Sequence, residues 1–487
     1  MGRIVYIIYF VIIVFLFSAK IYAQVEPALP SGLEDNAGDE EVELPRGLDE
    51  SGEGGPALPE GMDERKKYEE EAYFDSPGDN FFENIPFDLG GFIDGRLGGR
   101  TQDDPYERDL SIGETRLQMD VEKDWSILVF KITTDFIYDE VADDHCIDID
   151  DGEGWIDLRE LNLSMRPTEF MDIKLGRQIF TWGTGDLLFI NDLFPKDWKS
   201  FFIGRDLEYL KSPSDAFKAS LFSRIVNLDI VYIPYFNSDR HIEGKRISYW
   251  NPILNDRSGR DNIIRTEKRD EWFDDDEVAY RLFKNIKGYE LALYGYYGFW
   301  KSPAGINPIS GKWVFPELLE YGASIRGVIV GGITSFEIGY YDSREDSSGS
   351  NPFINNSEFR SLAGYEKELA KDFTLGVQYY LEYMMDYGQY KSSLTSLEYA
   401  RDEYRHVITM RLTKLLMNQN LRISIFAFYS PSDNDLYIRP NVHYKINDYL
   451  SGELGGNIFL GDRDYTFFGQ FENNTNIYAG IRYAVTS

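Results

Sequence analysis

From Asp88 to the C-terminus, apolar and polar residues alternate through successive stretches of ten to fourteen residues. The clearest is Phe373–Tyr383. Phe373, Leu375, Val377, Tyr379, Leu381 and Tyr383 fall on one face, and Thr374, Gly376, Gln378, Tyr380 and Glu382 on the other. A period of two is that of a strand, with one oily and one wet face. Strands of soluble sandwiches average about 5–6 residues, whereas a tilted strand needs about 9–11 to cross a bilayer. The pattern therefore predicts an all-β fold, a transmembrane antiparallel β-barrel.

Outer-membrane barrels keep their turns short on the periplasmic side and their loops long outside. Starting from inside, outward strands are predicted near 88–100, 125–138, 169–180, 226–236, 288–300, 333–343, 373–385, 420–430 and 449–461. Returning strands follow near 110–122, 155–166, 214–223, 276–284, 320–330, 359–369, 403–416, 436–446 and 476–485. The count is eighteen; loss of the weakest segment, 276–284, with one neighbour would leave sixteen. The inner turns are Lys123-Asp124, Pro167-Thr168, Arg224-Ile225, Asn285–Lys287, Gly331-Gly332, Ala370–Asp372, Leu416–Gln419 and Asn447-Asp448, and the longest outer connections are 181–213, 237–275, 301–319 and 386–402.

Three positions break the alternation. Ile156 and Leu158 are out of phase with Leu161, Leu163 and Met165, which calls for a bulge near Arg159-Glu160. Arg177 shares the phase of Ile173 and Leu175, so it needs a bend at Gly176 or a place at the membrane interface. Pro440 removes one ladder bond. The last strand, Asn476–Tyr483, is followed by Ala-Val-Thr-Ser, a departure from the terminal aromatic residue expected by the barrel-assembly machinery.

The N-terminus reads as a secretory signal over residues 1–23: Arg3, the apolar run Ile4–Phe17, and Ile21-Tyr22-Ala23 before Gln24. A signal anchor is the rival reading. Beyond residue 23 nothing approaches the roughly 20 apolar residues of a membrane helix. Export without helical spans points to the outer membrane of a Gram-negative cell. The mean hydropathy of -0.39 suits a barrel with polar lumen and loops. A single cysteine, Cys146, excludes an intramolecular disulfide framework.

Net charge is -33, of which residues 24–79 carry -14. Nucleic acid is excluded as a partner, because phosphate binding needs a basic face. Residues 24–79 are rich in Gly, Pro and acids, a composition expected of a disordered arm. One pattern occurs there three times: Leu29-Pro30-Ser31-Gly32-Leu33-Glu34-Asp35, Leu44-Pro45-Arg46-Gly47-Leu48-Asp49-Glu50 and Leu58-Pro59-Glu60-Gly61-Met62-Asp63-Glu64. Apolar anchors around Pro-x-Gly, followed by two carboxylates, suit a short docking motif for a periplasmic protein, and three copies raise effective concentration. A low-complexity spacer is the alternative.

Phases set from the lipid face place Arg116, Lys131, Lys174, Arg411, Arg422, Arg439, His443, Lys445 and Arg482 inward, against Asp120, Asp135, Asp172, Glu290, Glu382 and Glu453. Mixed charge is ordinary for a barrel interior. A basic track along Arg411, Arg422, Arg439 and Arg482 is the sharper reading, since charged rings set pore selectivity. Inward aromatics are Tyr294, Tyr296, Trp300, Tyr380, Phe426 and Phe428. They either contact cargo, stacking on sugar faces or touching acyl chains, or pack against an inserted loop. Segment 181–213, with Trp182, Phe189, Phe194, Trp198, Phe201 and Phe202, is too apolar for a solvated loop and is expected to fold into the barrel of residues 80–487.

Asp151, Glu153, Gly154, Ile156, Asp157 and Glu160 fall at EF-hand spacings, but Ile149 occupies the first ligand position, so an ordinary acidic loop is expected and no metal. The four histidines, His145, His241, His406 and His443, lack metal-ligand spacing. No catalytic constellation or cofactor motif stands out.

Three segments, Leu158–Leu163, Leu175–Gly183 and Asn191–Asp197, carry a resemblance. They resemble a large, poorly characterised outer-membrane barrel family, a domain of unknown function related to porins and alginate exporters. Its members often accompany RND-type exporters with periplasmic lipid carriers. The resemblance implies that Gly176, Arg177, Gln178, Trp182 and Gly183 form a hinge between strand and inner loop. It also implies a passage for lipid-like, hydrophobic or polysaccharide cargo, or else a non-conducting anchor whose arm recruits a partner.

Overall fold

The computed structural model describes residues 87–486 apart from Asp144, Thr395 and Leu397. The signal segment 1–23 and the arm 24–79, including all three docking repeats, lie outside the described residues. So do the first residues assigned to the barrel, 80–86.

Eighteen long strands form one antiparallel sheet. We number them β1 (Asp88–Arg100), β2 (Leu110–Trp125), β3 (Leu128–Asp139), β4 (Ile156–Thr168), β5 (Met171–Gln178) and β6 (Ser214–Leu221). Next come β7 (Asn227–Ile233), β8 (Glu277–Ile286), β9 (Tyr289–Phe299), β10 (Glu317–Ile329), β11 (Gly332–Ser343) and β12 (Glu358–Ala370). The last six are β13 (Phe373–Met384), β14 (Tyr404–Leu416), β15 (Leu421–Ser430), β16 (Asp435–Lys445), β17 (Leu450–Gly461) and β18 (Asn476–Thr486). Each strand pairs with its neighbours in sequence, and β18 pairs back to β1, from Gly90 opposite Thr486 to Arg100 opposite Asn476. Closure removes every edge, so all backbone polar groups of the wall can bond within it. The segment 276–284 is a full strand of the wall, β8, so the count is eighteen and not sixteen.

Side chains alternate as a membrane barrel requires. On β13, Val377 and Tyr379 are exposed while Gln378, Tyr380 and Glu382 are buried; on β18, Ile477, Ile481 and Tyr483 are exposed and Tyr478 is buried. The ladder of β18 runs past Tyr483 to Thr486, so the departure after Tyr483 lengthens the strand. The bulge lies at Arg159, which is skipped where Thr133 and Thr134 pair with Glu160 and Leu158. Around Pro440 the β16–β17 ladder lapses between Ile438 and Asn441 and then resumes in the same register.

Turn positions differ slightly from the expectation. The β2–β3 turn is at Ser126-Ile127 instead of Lys123-Asp124, and the β10–β11 turn at Val330-Gly331 instead of Gly331-Gly332. Val330 and Gly331 have φ of 54° and 72°, the left-handed pair of a tight hairpin turn. Such a turn depends on where the two ladders meet, which alternation alone leaves open by a residue or two.

Strands β5 and β7 are shorter than their predicted ranges 169–180 and 226–236. Gly176, at φ 111°, bends the end of β5, and Pro234, lacking an N–H, follows the last residue of β7. The strands of the wall are consequently shortest at β5–β7, which carry the two longest connections.

Candidate functional site

Segment 181–213 leaves β5 and spans the bore, bonding to inner-face side chains around most of the circumference. A buried irregular backbone must find partners for its N–H and C=O groups, and here the wall supplies them. Glu337 on β11 accepts four hydrogen bonds: from the Thr184 N and Oγ1 at 2.6 and 2.9 Å, and from the Asn191 N and Nδ2 at 2.8 Å each. Gln378 on β13 accepts from the Asp186 N at 3.1 Å, and Arg411 on β14 donates twice to the Asp186 carboxylate.

Ile190 and Asn191 dock where the wall has no side chains. Gly322 on β10 pairs directly with Gly339 on β11, leaving a bare patch on the inner face. A Cβ at Gly322 would lie 1.5 Å from the Asn191 Oδ1, and one at Gly339 would lie 2.6 Å from the Ile190 Cγ2. Glu320 and Glu337 flank the patch, because each strand carries a Glu-x-Gly step and the two strands run antiparallel.

The second half of the insert contains a short helix, α1 (Trp198–Ile203), capped by Asp197, whose carboxylate accepts from the Ser200 N at 2.7 Å. Gly204, at φ 98°, ends it. The carbonyls freed at its C-terminal end are taken by the wall. The Phe202 carbonyl accepts from Asn457 and Asn476 at 2.9 and 3.0 Å, Gly204 from Arg96 at 2.9 Å, and Arg205 from Arg439 at 2.9 Å. Arg159, the bulged residue, reaches the Lys211 carbonyl at 2.8 Å.

Three members of the predicted basic track are thus engaged. Arg411 holds Asp186; Arg439 holds the Arg205 carbonyl and lies 4.9 Å over the Phe201 ring; Arg482 pairs with Asp94 and Glu208 at 2.9 and 2.8 Å. Arg422 alone stays exposed, opposite His443. The arginines therefore anchor the insert more than they form a free ladder, because buried backbone and carboxylates of the insert compete for them.

The hinge residues separate into two groups. Gly176 makes the bend, and Arg177 is buried at the rim, donating to the Leu158 carbonyl at 2.7 Å, the Ile149 carbonyl at 2.6 Å and Asp215 at 2.7 Å. Gln178 bonds backbone carbonyls of Gly176 and Ala216, both at 3.1 Å. Trp182 packs edge-on to Phe194 at 4.9 Å, and Gly183, at φ 78°, abuts Glu337, where a Cβ would lie 2.7 Å from its Oε1.

Between the insert and the long loops lies a cavity of about 630 Å³. Of the predicted inward aromatics, Trp300, Tyr380 and Phe428 line it; Tyr294 and Tyr296 sit behind the insert, and Phe426 packs on Phe428 at 4.6 Å. Phe189, Trp198 and Trp250 add further rings. The lining also holds six acidic and six basic side chains, mostly paired with each other. Arg401 bridges Glu358 and Glu382 at 3.0 and 2.9 Å, Arg360 donates to Glu358 at 2.6 Å, and Arg405 to Asp433 at 2.9 Å. The Trp300 Nε1 and His241 Nε2, on two residues that line the cavity, have no hydrogen-bond partner within the described chain. Sequence reasoning missed this rim cluster because Arg401 lies in a connection, where no phase assigns a direction.

The acidic segment at 151–160 is spoken for by protein cations: Glu153 by Lys199 and Lys245, Asp157 by Arg240, and Glu160 by Lys131.

No protein-family model matches the sequence, and no curated protein matches it. Among solved structures the chain is similar to OccAB3 of Acinetobacter baumannii, with a TM-score of 0.51 and 11% identity over 82% of this chain and 99% of that one. It is likewise similar to OccAB4 of the same organism, with a TM-score of 0.50 and 8% identity over 83% and 99%. At such identities the shared property is the fold: a closed eighteen-stranded antiparallel β-barrel.

Proposed function

We propose that this chain is a non-catalytic outer-membrane channel that passes a polyhydroxylated, saccharide-like solute through the vestibule above the insert. The observation that carries the reading is one cavity in which aromatic planes stand beside mutually neutralised ion pairs. Rings stack on the apolar faces of sugars, while paired carboxylates and guanidinium groups hydrogen-bond hydroxyls without demanding a net charge. Among the cargoes implied by the family resemblance, an acyl chain fits less well. It would strip water from Glu382, Arg401 and Arg405 and return no hydrogen bond.

In this reading the long loops face outward, membrane lipid surrounds the exposed apolar belt, and the barrel-assembly machinery inserts the chain. The repeats anchored by Leu29, Leu44 and Leu58 then dock a periplasmic protein that supplies or withdraws cargo, as the family resemblance implies. Substituting the three leucines together should abolish periplasmic crosslinks; unchanged crosslinks would reduce the arm to a tether.

The span of the insert favours a second reading, a non-conducting anchor. Its bonds to β1, β4, β11, β13, β14, β16, β17 and β18 carry it across the bore. Single-channel conductance in planar bilayers separates the two. A channel gives currents that a neutral oligosaccharide interrupts, and larger currents once residues 181–213 are removed. Silence in both forms supports the anchor.

A further inference from the structure

Two buried oxygen atoms abut the same bare glycine face with no hydrogen available to either. Glu320 on β10 and Asn191 of the insert are 1% and 2% exposed. Neither the Glu320 Oε1 nor the Asn191 Oδ1 has a donor among the described residues. Both press on the bare face of Gly322, where a Cβ would lie 2.5 Å from the first and 1.5 Å from the second. A cavity of about 10 Å³ bounded by Trp182, Asn191, Phe194, Tyr294, Tyr296 and Glu320 adjoins them, at the lower limit of room for one water.

Flipping the amide does not relieve the contact. The Asn191 Nδ2 and backbone N both donate to the Glu337 Oε1, and a flipped amide would set its oxygen against that carboxylate. A metal ion is a poor remedy too. Hard cations take six or more oxygen ligands, and the rest of this cavity is mostly rings and alkyl groups. A proton answers the geometry, since a protonated carboxyl is a donor.

We propose that Glu320 carries a proton and donates it to the Asn191 Oδ1. The insert is thus latched to the Gly322–Gly339 patch by a neutral acid on one side and a carboxylate, Glu337, on the other. The groups facing Glu320 fit this assignment. From β11 come the Glu337 charge, which opposes a second negative charge, and the Tyr341 hydroxyl, which is given to the Ile190 carbonyl. From β9 comes the Tyr296 hydroxyl, bonded to Glu277 of β8. From β12 comes the Arg360 guanidinium, whose hydrogen bonds go to Glu358, and from β8 the Arg281 guanidinium, which lies over the Tyr294 ring at 5.9 Å. Ionisation of Glu320 would place two acceptors at the same glycine face and a second carboxylate beside the first, so the latch loosens at Asn191 and residues 184–191 lose protection.

Two readouts independent of conduction test this on the full-length protein in detergent. Infrared difference spectra should show a protonated-carboxyl carbonyl band at neutral pH that Glu320→Gln removes. Amide exchange should show residues 184–191 losing protection as the pH is raised in the wild type but not in Glu320→Gln, whose amide still donates and cannot ionise. Absence of a band difference, or identical exchange in the two proteins at every pH, overturns the proposal. If Glu320→Gln fails to assemble, the wild type decides. Its acid band must vanish over the pH range in which exchange accelerates, and separate transitions refute the latch.

Discussion

Arg411 on β14 grips Asp186 at the apex of the insert through two hydrogen bonds, of 2.5 and 2.7 Å. The pair is bidentate but only partly shielded, with side chains 27% and 38% exposed. It therefore contributes roughly 0.2–1 kcal/mol, as surface pairs do. Arg411→Ala should speed protease cleavage between Gly183 and Leu188 while leaving the heat resistance of the barrel unchanged. A large loss of heat resistance would show that the pair supports the wall itself.

The glycine patch should be intolerant in a graded way. A methyl at Gly322 would overlap the Asn191 side chain, which is fixed by Glu337, whereas one at Gly339 meets the Ile190 Cγ2 methyl with a smaller overlap. Gly322→Ala should cost about 1–3 kcal/mol of insert docking, the range for overpacking, and Gly339→Ala less. Amide exchange of residues 184–191 measures both; equal effects would contradict the docking geometry.

Asp157 on β4 and Arg240 in the 234–276 connection form a buried bidentate pair, at 2.7 and 2.9 Å, with both side chains at most 3% exposed. Asp157→Ala leaves a buried guanidinium whose closest remaining carboxylate contact is Asp197, at 3.4 Å, beside the Asp150 and Ile149 carbonyls, and should destabilise the barrel by about 3–5 kcal/mol. Replacing both, as Asp157→Leu with Arg240→Met, should recover much of that. Unfolding midpoints in denaturant and detergent compare them. A double variant as unstable as the single one would count against an uncompensated charge.

Glu107, in the 101–109 connection, is pushed up to about 7 from 4.5, chiefly by burial, against the pull of Arg260, which donates at 3.1 Å. Its ionised form is disfavoured in the folded loop, so the folded state holds the proton more tightly than the unfolded one. Loop closure is then firmest below the ordinary carboxyl range, weakens as the pH rises from 4.5 to about 7, and is flat above. Glu107→Gln should abolish that slope when amide exchange of Asp104–Arg108 is compared at matched pH. A slope persisting in the variant assigns it to another group.

The eighteen strands, their antiparallel order and the bulge at Arg159 were legible because alternation is a local property, readable within one strand. The apolar character of 181–213 was legible for a similar reason: a connection so rich in rings cannot remain solvated. The partners of Arg411, Arg439 and Arg482 were not legible. Phase says that a side chain points inward but not what meets it at that height.

What the chain's linear order determines by itself is a tilted wall with an oily outside and a polar inside, since that requires only period two and short turns. The tertiary structure alone decides that Gly322 meets Gly339, that Glu320 and Glu337 flank the gap, and that Asn191 fills it. Those meetings depend on ladder register and on the path of a loop across the bore. Shifting either by one residue would place a side chain where the bare backbone now receives the insert.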